Sequence, residues 1–237
     1  MRCLTAQAGS VPGLCPSGNT RSRGQPPHGT QTYRRRGRGR TIRLRYGNTN
    51  TYLIRGNRGD LLVDTDYAGT LPAFYKAIKP HGIRVRDIAY VLATHYHPDH
   101  MGLIPELMHQ GVKLLLMETQ RDSVHFSDPI FARDRLPFAP IDETAAAVIR
   151  CADSRGFLES LGIEGEILST PSHSPDSVSL ILDCGDCIVG DMEPIEYLDA
   201  CPGACPLRDD WERILRRRPK RILYAHVNER VMENEGR

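Results

Sequence analysis

An apolar run, Ile88-Ala89-Tyr90-Val91-Leu92-Ala93, passes directly into Thr94-His95-Tyr96-His97-Pro98-Asp99-His100. A short apolar segment bounded by polar residues reads as a buried strand. Four metal-capable side chains then follow within six positions, from His95 to His100. Residues two apart on an extended backbone point the same way, so His95 and His97 can meet one ion. Asp99 and His100 lie past Pro98, which bends the chain, and can face a second ion beside the first. Imidazole nitrogens with a carboxylate suit zinc, or iron or manganese less tightly. A lone histidine is ordinarily a satisfied surface or core residue, whereas a cluster of this density marks a metal or catalytic site. Tyr96 projects oppositely to its neighbours and is expected to pack.

The 237 residues suffice for one domain with a sizeable core. No apolar run approaches the roughly 20 residues needed to span a bilayer. The formal net charge of +2 conceals an asymmetry. Residues 1 to 40 hold eight arginines and no acid, which leaves 23 bases against 29 acids, a balance of about −6, in the remainder. The Arg/Gly/Pro-rich stretch over 1–40 cannot bury enough apolar surface to offset ordering entropy, and it lacks the continuous apolar core of an export signal. It is expected to be a disordered extension, with a transit peptide or a phosphate-gripping arm as the competing readings. The folded domain is expected over 41–237 and in the cytoplasm. Deleting residues 1 to 40 should accordingly leave metal content and the thermal melt unchanged, as scanning calorimetry of the two forms would show.

From Thr41 the pattern turns periodic. Residues 50–54 and 60–64 read as strands around a Gly56-Asn57-Arg58-Gly59 turn. Thr70 is expected to cap a helix with Leu71, Phe74, Tyr75 and Ile78 on one face. A short helix over 103–109 and a strand over 113–117 follow the histidine cluster. Residues 119–141 read as an irregular connection, in which Phe126, Phe131 and Phe138 serve either as a lid or as plain packing. Residues 142–161 read as mostly helical, and 166–170, 177–184 and 187–190 as strands. The last helix, over 207–218, carries Trp211, Ile214 and Leu215 on one side, with Asp209 and Asp210 at its start complementing the helix dipole. Cys184, Cys187, Cys201 and Cys205 could make a four-thiolate zinc site. The stronger reading is a two-residue Gly185-Asp186 hairpin turn that sets Cys184 across from Cys187. Seven cysteines without an export signal argue for reduced thiols.

Thr94-His95-Tyr96-His97-Pro98-Asp99-His100 resembles the HxHxDH signature of the metallo-β-lactamase fold superfamily, and further family motifs recur in order. His173 lies in Ser169-Thr170-Pro171-Ser172-His173-Ser174-Pro175-Asp176-Ser177, similar to the third-histidine loop. Asp191 closes Cys187-Ile188-Val189-Gly190-Asp191, like the family's strand-ending Gly-Asp, and His226 ends Arg221-Ile222-Leu223-Tyr224-Ala225-His226, like its final strand. Leu61-Leu62-Val63-Asp64 resembles the strand with a supporting aspartate. The resemblance implies an α/β (α+β) fold, a four-layer αβ/βα sandwich with its site at the sheet edges. It further implies that His95, His97 and His173 hold a first ion, that Asp99, His100 and His226 hold a second, and that Asp191 bridges both. Asp64 would steady a ligand histidine from behind. Two departures stand out: Ser172 replaces the usual glycine before the third histidine, and Val227-Asn228-Glu229 follows His226 where a glycine is common.

On this resemblance the chain is expected to be a dinuclear metal-dependent hydrolase, most readily a zinc enzyme, whose bridging hydroxide attacks a carbonyl or phosphoryl centre. Asp99 is the catalytic candidate, because it binds metal and can shuttle the proton to the leaving group. True β-lactamases of this fold do not normally use a bridging aspartate like Asp191. Glyoxalase II enzymes share the ligand set but add a C-terminal helical domain, whereas this chain ends 11 residues after His226. The acidic balance beyond residue 40 disfavours nucleic acid as a partner. The expected substrate is a small-molecule ester, thioester or lactone. A mononuclear iron oxidoreductase resembling persulfide dioxygenases, a phosphodiesterase or nuclease of the superfamily, and an inactive metal-binding scaffold stay open as alternatives. His97 argues against the flavodiiron branch, which typically places a glutamate there.

Overall fold

Short apolar strands, most of them buried on both faces, build two sheets in the computed structural model, which describes residues 40–201 and 203–232. The extension expected over residues 1–40 lies, apart from Arg40, outside the described residues. The first sheet runs in the order β1 (Thr41–Arg45), β2 (Asn50–Ile54), β3 (Asp60–Val63), β4 (Ile88–Leu92), β5 (Lys113–Met117) and β6 (Ala147–Ile149). β1 to β3 are antiparallel, whereas β3 to β6 are parallel. Helices fill the parallel crossovers: α1 (Leu71–Ile78) after β3, α2 (Pro98–Met101) and α3 (Ile104–His109) after β4, and α4 (Asp128–Asp134) after β5. α5 (Ser154–Leu161) leads into the second sheet, made of β7 (Gly165–Ser169), β8 (Val178–Leu182), β9 (Asp186–Gly190), β10 (Arg221–Tyr224) and β11 (Arg230–Val231). α6 (Pro206–Leu215) connects β9 to its parallel neighbour β10.

Alternation on each strand sorts side chains between layers. Leu53, Leu62, Val91, Leu114 and Leu116 face Phe74 and Ile78 of α1 and Ile104 and Leu107 of α3. Their neighbours Tyr52, Ile54, Leu61, Val63, Leu92 and Leu115 turn the other way and meet Val178, Leu180, Ile188 and Leu223 of the second sheet. On that sheet's far side Ile181, Val189 and Ile222 pack against Trp211 and Ile214 of α6. Helix, sheet, sheet and helix stack in that order, the four-layer αβ/βα sandwich expected from the sequence. Each aliphatic side chain fully buried at these seams contributes about 1.5–3 kcal/mol. No helix among the described residues is long and apolar enough to cross a membrane.

Several local expectations give way. Thr70 occupies the cap position of α1, but its hydroxyl donates backwards to the Tyr67 carbonyl instead of accepting from the helix, and Tyr75 is exposed. The connection over 119–141 contains a 3-10 turn and α4, which buries Phe131 beneath Phe138 at a ring separation of 4.3 Å. The stretch over 142–161 is helical only in α5 and two short 3-10 turns. Its β-branched centre, Ala147-Val148-Ile149, pairs with β5 as an edge strand too short to announce itself by periodicity. The β8–β9 turn comprises Asp183, Cys184 and Gly185, with Gly185 at φ +104°. Cys184 therefore sits exposed in the turn, and Cys187 pairs with Ile181 and is buried. Cys201 and Cys205 form a disulfide with Cα atoms 6.4 Å apart. That pair is oxidised, contrary to the expectation of reduced thiols, and four thiolates cannot converge. α6 stops at Leu215, itself partly exposed, because Arg216 to Arg218 leave the helix and Arg218 adopts φ +52°.

Candidate metal centre

Parallel neighbours deliver their C-terminal ends to one edge of a sheet. In the first sheet β3 and β4 deliver Asp64 and the Thr94–His100 loop; in the second, β9 and β10 deliver Asp191 and His226. The β7–β8 connection adds His173. Backbone hydrogen bonds stitch the two edges together: Asn50 N donates to Ala225 O (2.7 Å) and Val178 N to Thr94 O (2.8 Å). Pro98 suits the first position of α2, since its missing N–H is unneeded there, and the turn that follows carries Asp99 and His100.

All seven residues singled out from the sequence meet in this cleft. His95, His97 and His173 offer nitrogens within 4.8 Å of one another, and so do the ligand atoms of Asp99, His100 and His226. His95 Nε2 lies 3.0 Å from His97 Nδ1, and His173 Nε2 lies 3.4 Å from the same atom. Asp191 stands between the groups. Its Oδ2 is 3.9 Å from His95, 3.9 Å from His173 and 3.3 Å from His100, and its Oδ1 is 3.2 Å from His226. Asp99 Oδ2 is 3.2 Å from His226 Nε2 and 3.8 Å from His100 Nε2. His95 and His100 are buried, whereas His173 and His226 are exposed and open the cleft to solvent.

Two observations test the fit to metal. Buried polar atoms almost always find hydrogen-bond partners, yet His100 Nε2 and Asp191 Oδ1 are buried and make none among the described residues; the short separations around them are ion-pair distances without hydrogen-bond alignment. The electrostatics point the same way. Burial, together with neighbouring imidazoles, drives the His95 and His97 pKa values down, which keeps both neutral with a lone pair to donate. Burial also opposes charge on His100, but the Asp64 and Asp191 carboxylates outweigh it and push its pKa to about 10. Asp191 and Asp99 push His226 to about 10 as well. Although burial raises the carboxyls of Asp191 and Asp99, the adjacent histidines prevail and hold both below the usual range. The cluster thus demands positive charge between its carboxylates, and its nitrogen and oxygen donors suit a divalent transition metal.

Supporting contacts hold the ligands. Asp64, at φ +57°, turns its carboxylate back to accept from Thr94 N (2.6 Å) and Thr94 Oγ1 (2.9 Å), and its Oδ2 lies 3.1 Å from His100 Nδ1. Asn48 O lies 3.3 Å from His226 Nδ1, and Thr49 Oγ1 donates to Asp99 Oδ2 at 3.4 Å. Three further supports carried no role at the site in the sequence reading. Asp176 accepts from Tyr96 N (2.8 Å) and from Ser174 Oγ (2.8 Å), which ties the His173 loop to the His95 loop. Asp210, read only as a helix-dipole partner, accepts from Ser172 N at 2.8 Å and also binds Arg213. Gln120 donates to Ala93 O and Asp176 O. Their only sequence signal was a polar residue of ordinary type; the structure buries all three. Phe126, of the three phenylalanines weighed as a lid, stays exposed with its ring 5.4 Å from that of His97.

Gly190 sits at φ +60°, where a Cβ would meet Thr94 Oγ1 at 2.5 Å. Gly190→Ala should cost about 1–3 kcal/mol of backbone strain, a fall in Tm of several degrees for a domain of this size, read by thermal denaturation.

Comparison with known proteins agrees with this architecture. The sequence pattern of the metallo-beta-lactamase superfamily matches residues 44–226. The lactamase-like protein nscB of Arthroderma benhamiae is 28% identical over 137 residues, 57% of this chain and 26% of that protein. The first curated relatives are thus much longer than the stretch they share with this chain. The metallo-beta-lactamase family protein TTHA1429 of Thermus thermophilus superposes with a TM-score of 0.58 at 20% identity, covering 81% of this chain and 73% of its own. TTHA1623, solved in a di-iron-bound form, gives 0.60 at 20% identity, covering 81% and 93%. With the ordered motifs, the four-layer fold and a pattern match over most of its length, the chain belongs to the metallo-beta-lactamase superfamily.

Proposed function

We propose that residues 41–237 form a dinuclear metal-dependent hydrolase that cleaves a small-molecule ester, thioester or lactone. The observation that carries this reading is the convergence of His95, His97 and His173 on one side of Asp191 and Asp99, His100 and His226 on the other. These seven residues would hold two divalent ions, most readily zinc. Bound there, such ions lower the pKa of coordinated water towards neutrality and stabilise the oxyanion that develops at a carbonyl. The chain's own groups do the rest. Asp64 holds Nδ1 of His100 and the Asn48 carbonyl faces Nδ1 of His226, so both rings present Nε2 to the cleft. Asp99 is anionic at neutral pH, because its neighbours hold its pKa down. It is therefore poised to take the proton of the attacking water and return it to the leaving group. Thr49 and His226 fix the orientation of that carboxylate.

Iron is the second reading, in which a mononuclear oxidoreductase resembling persulfide dioxygenases replaces the hydrolase; the fold neighbour TTHA1623 was solved with two irons. Elemental analysis with an absorption spectrum separates zinc from iron. A panel of chromogenic esters, thioesters and lactones then tests turnover by the zinc-loaded protein. Cleavage of at least one class is expected, and failure across the panel would remove the hydrolase assignment.

A further inference from the structure

We infer that a cavity beside Asp191 receives the acyl portion of the substrate and selects a neutral, apolar acyl group over an anionic one. This inference rests on the hydrolase reading above and adds the substrate class. The cavity has a volume of about 270 Å³ and opens against His173, Asp191 and His226, a size that fits a short acyl chain better than a drug-sized ligand. Met192, Pro194 and the ring of Tyr224 form its apolar wall. Val227, half exposed, stands at its edge, where the resemblance leads one to expect a glycine.

Charge decides the preference. Among the described residues, no lysine or arginine lines the cavity. Outside the seven ligand candidates, the one charged wall residue among the described residues is Glu193, which is exposed and whose carboxylate has no partner there. The arginines that reach the adjoining 195–201 segment are committed: Arg230 pairs with Glu196, and Arg208 donates to the Leu198 and Cys201 carbonyls. A carboxylate at the end of an acyl chain remote from the ligand cluster would lose water beside Glu193 and meet no lysine or arginine among the described residues, which is unfavourable. A methyl terminus in the same place removes apolar surface from water, which is favourable.

The test compares two non-hydrolysable amides of equal chain length, hexanamide and the adipamate monoanion, binding to the zinc-loaded full chain by saturation-transfer NMR. Hexanamide is expected to bind about tenfold more tightly, the size of a modest charge effect near a surface. Glu193→Lys should close or invert that gap, and Val227→Trp, at an exposed position, should weaken both ligands. Equal affinity of the two amides, an unchanged ratio in Glu193→Lys, or no binding of either would overturn the inference. Neither amide needs to be cleaved. A protein that shows this preference but cleaves nothing in the ester, thioester and lactone panel loses the hydrolase reading and keeps the cavity preference. One that cleaves esters and binds both amides alike loses only the preference.

Discussion

Purified protein is expected to carry about two equivalents of transition metal, and Asp191→Ala to lose most of both. Seven candidate ligand residues exceed what one tetrahedral ion can use. Asp191 is the group they share, reaching His95, His100, His173 and His226 within 3.9 Å. Removing a residue that merely supports a ligand costs about 10–100-fold in metal affinity, so loss of a shared carboxylate should cost more at each position. The alanine also leaves His100 and His226 facing one carboxylate fewer, which weakens the demand for positive charge described above. Metal analysis after dialysis reads the outcome. A wild-type protein that binds a single ion with all seven residues intact would overturn the dinuclear arrangement, and an Asp191→Ala variant that keeps both ions would remove the bridging role.

Asp99→Asn should reduce turnover by about 10²- to 10⁴-fold, the usual worth of positioned acid–base assistance, with additional loss through weaker binding at the second position. An amide binds metal poorly and cannot accept the proton of attacking water. The fold should survive, because Asp99 sits on the one-turn α2 and contacts Thr49 and two histidines rather than the core. His97→Ala is expected to be comparably damaging through the first position. Tyr96→Phe supplies the contrast: that ring is buried and its hydroxyl has no hydrogen-bond partner among the described residues, so its removal should cost little. Steady-state kinetics on the best substrate of the panel, alongside melts and metal content, separates these effects. Near wild-type turnover in Asp99→Asn with both ions bound would end the assignment of Asp99 to proton transfer.

The Gly190→Ala expectation belongs to a different class, since it concerns how the cleft is built and leaves its chemistry alone. Gly190 lets β9 turn sharply so that Asp191 leaves the sheet towards the other strand ends. The same division runs through the supporting residues. Asp64 was recognisable through the resemblance of Leu61-Leu62-Val63-Asp64 to the family's strand with a supporting aspartate, and its φ of +57° explains how one carboxylate reaches both Thr94 and His100. Asp176 and Asp210 gave no comparable signal. Each is a single acidic residue whose burial depends on a loop or helix from elsewhere in the chain folding over it.

Local pattern alone determined much of this protein. The apolar strands and the cluster from His95 to His100 are legible as spacing, because strand periodicity and ligand chemistry act over a few residues; the outlying His173, Asp191 and His226 were marked only by the resemblance of their motifs to the superfamily. Tertiary structure decided the rest, and for one physical reason: those properties depend on contacts between segments distant along the chain. β6 is a strand only because β5 offers an edge to pair with, and Phe131 is core because α4 turns it inward, while Phe126, in the turn before that helix, faces His97. Cys201 and Cys205 join as a disulfide where composition had suggested thiols. The two ligand groups share Asp191 only because the C-terminal ends of β4, β9 and β10 are brought to one edge by packing between the sheets, an energy of burial that no single segment contains.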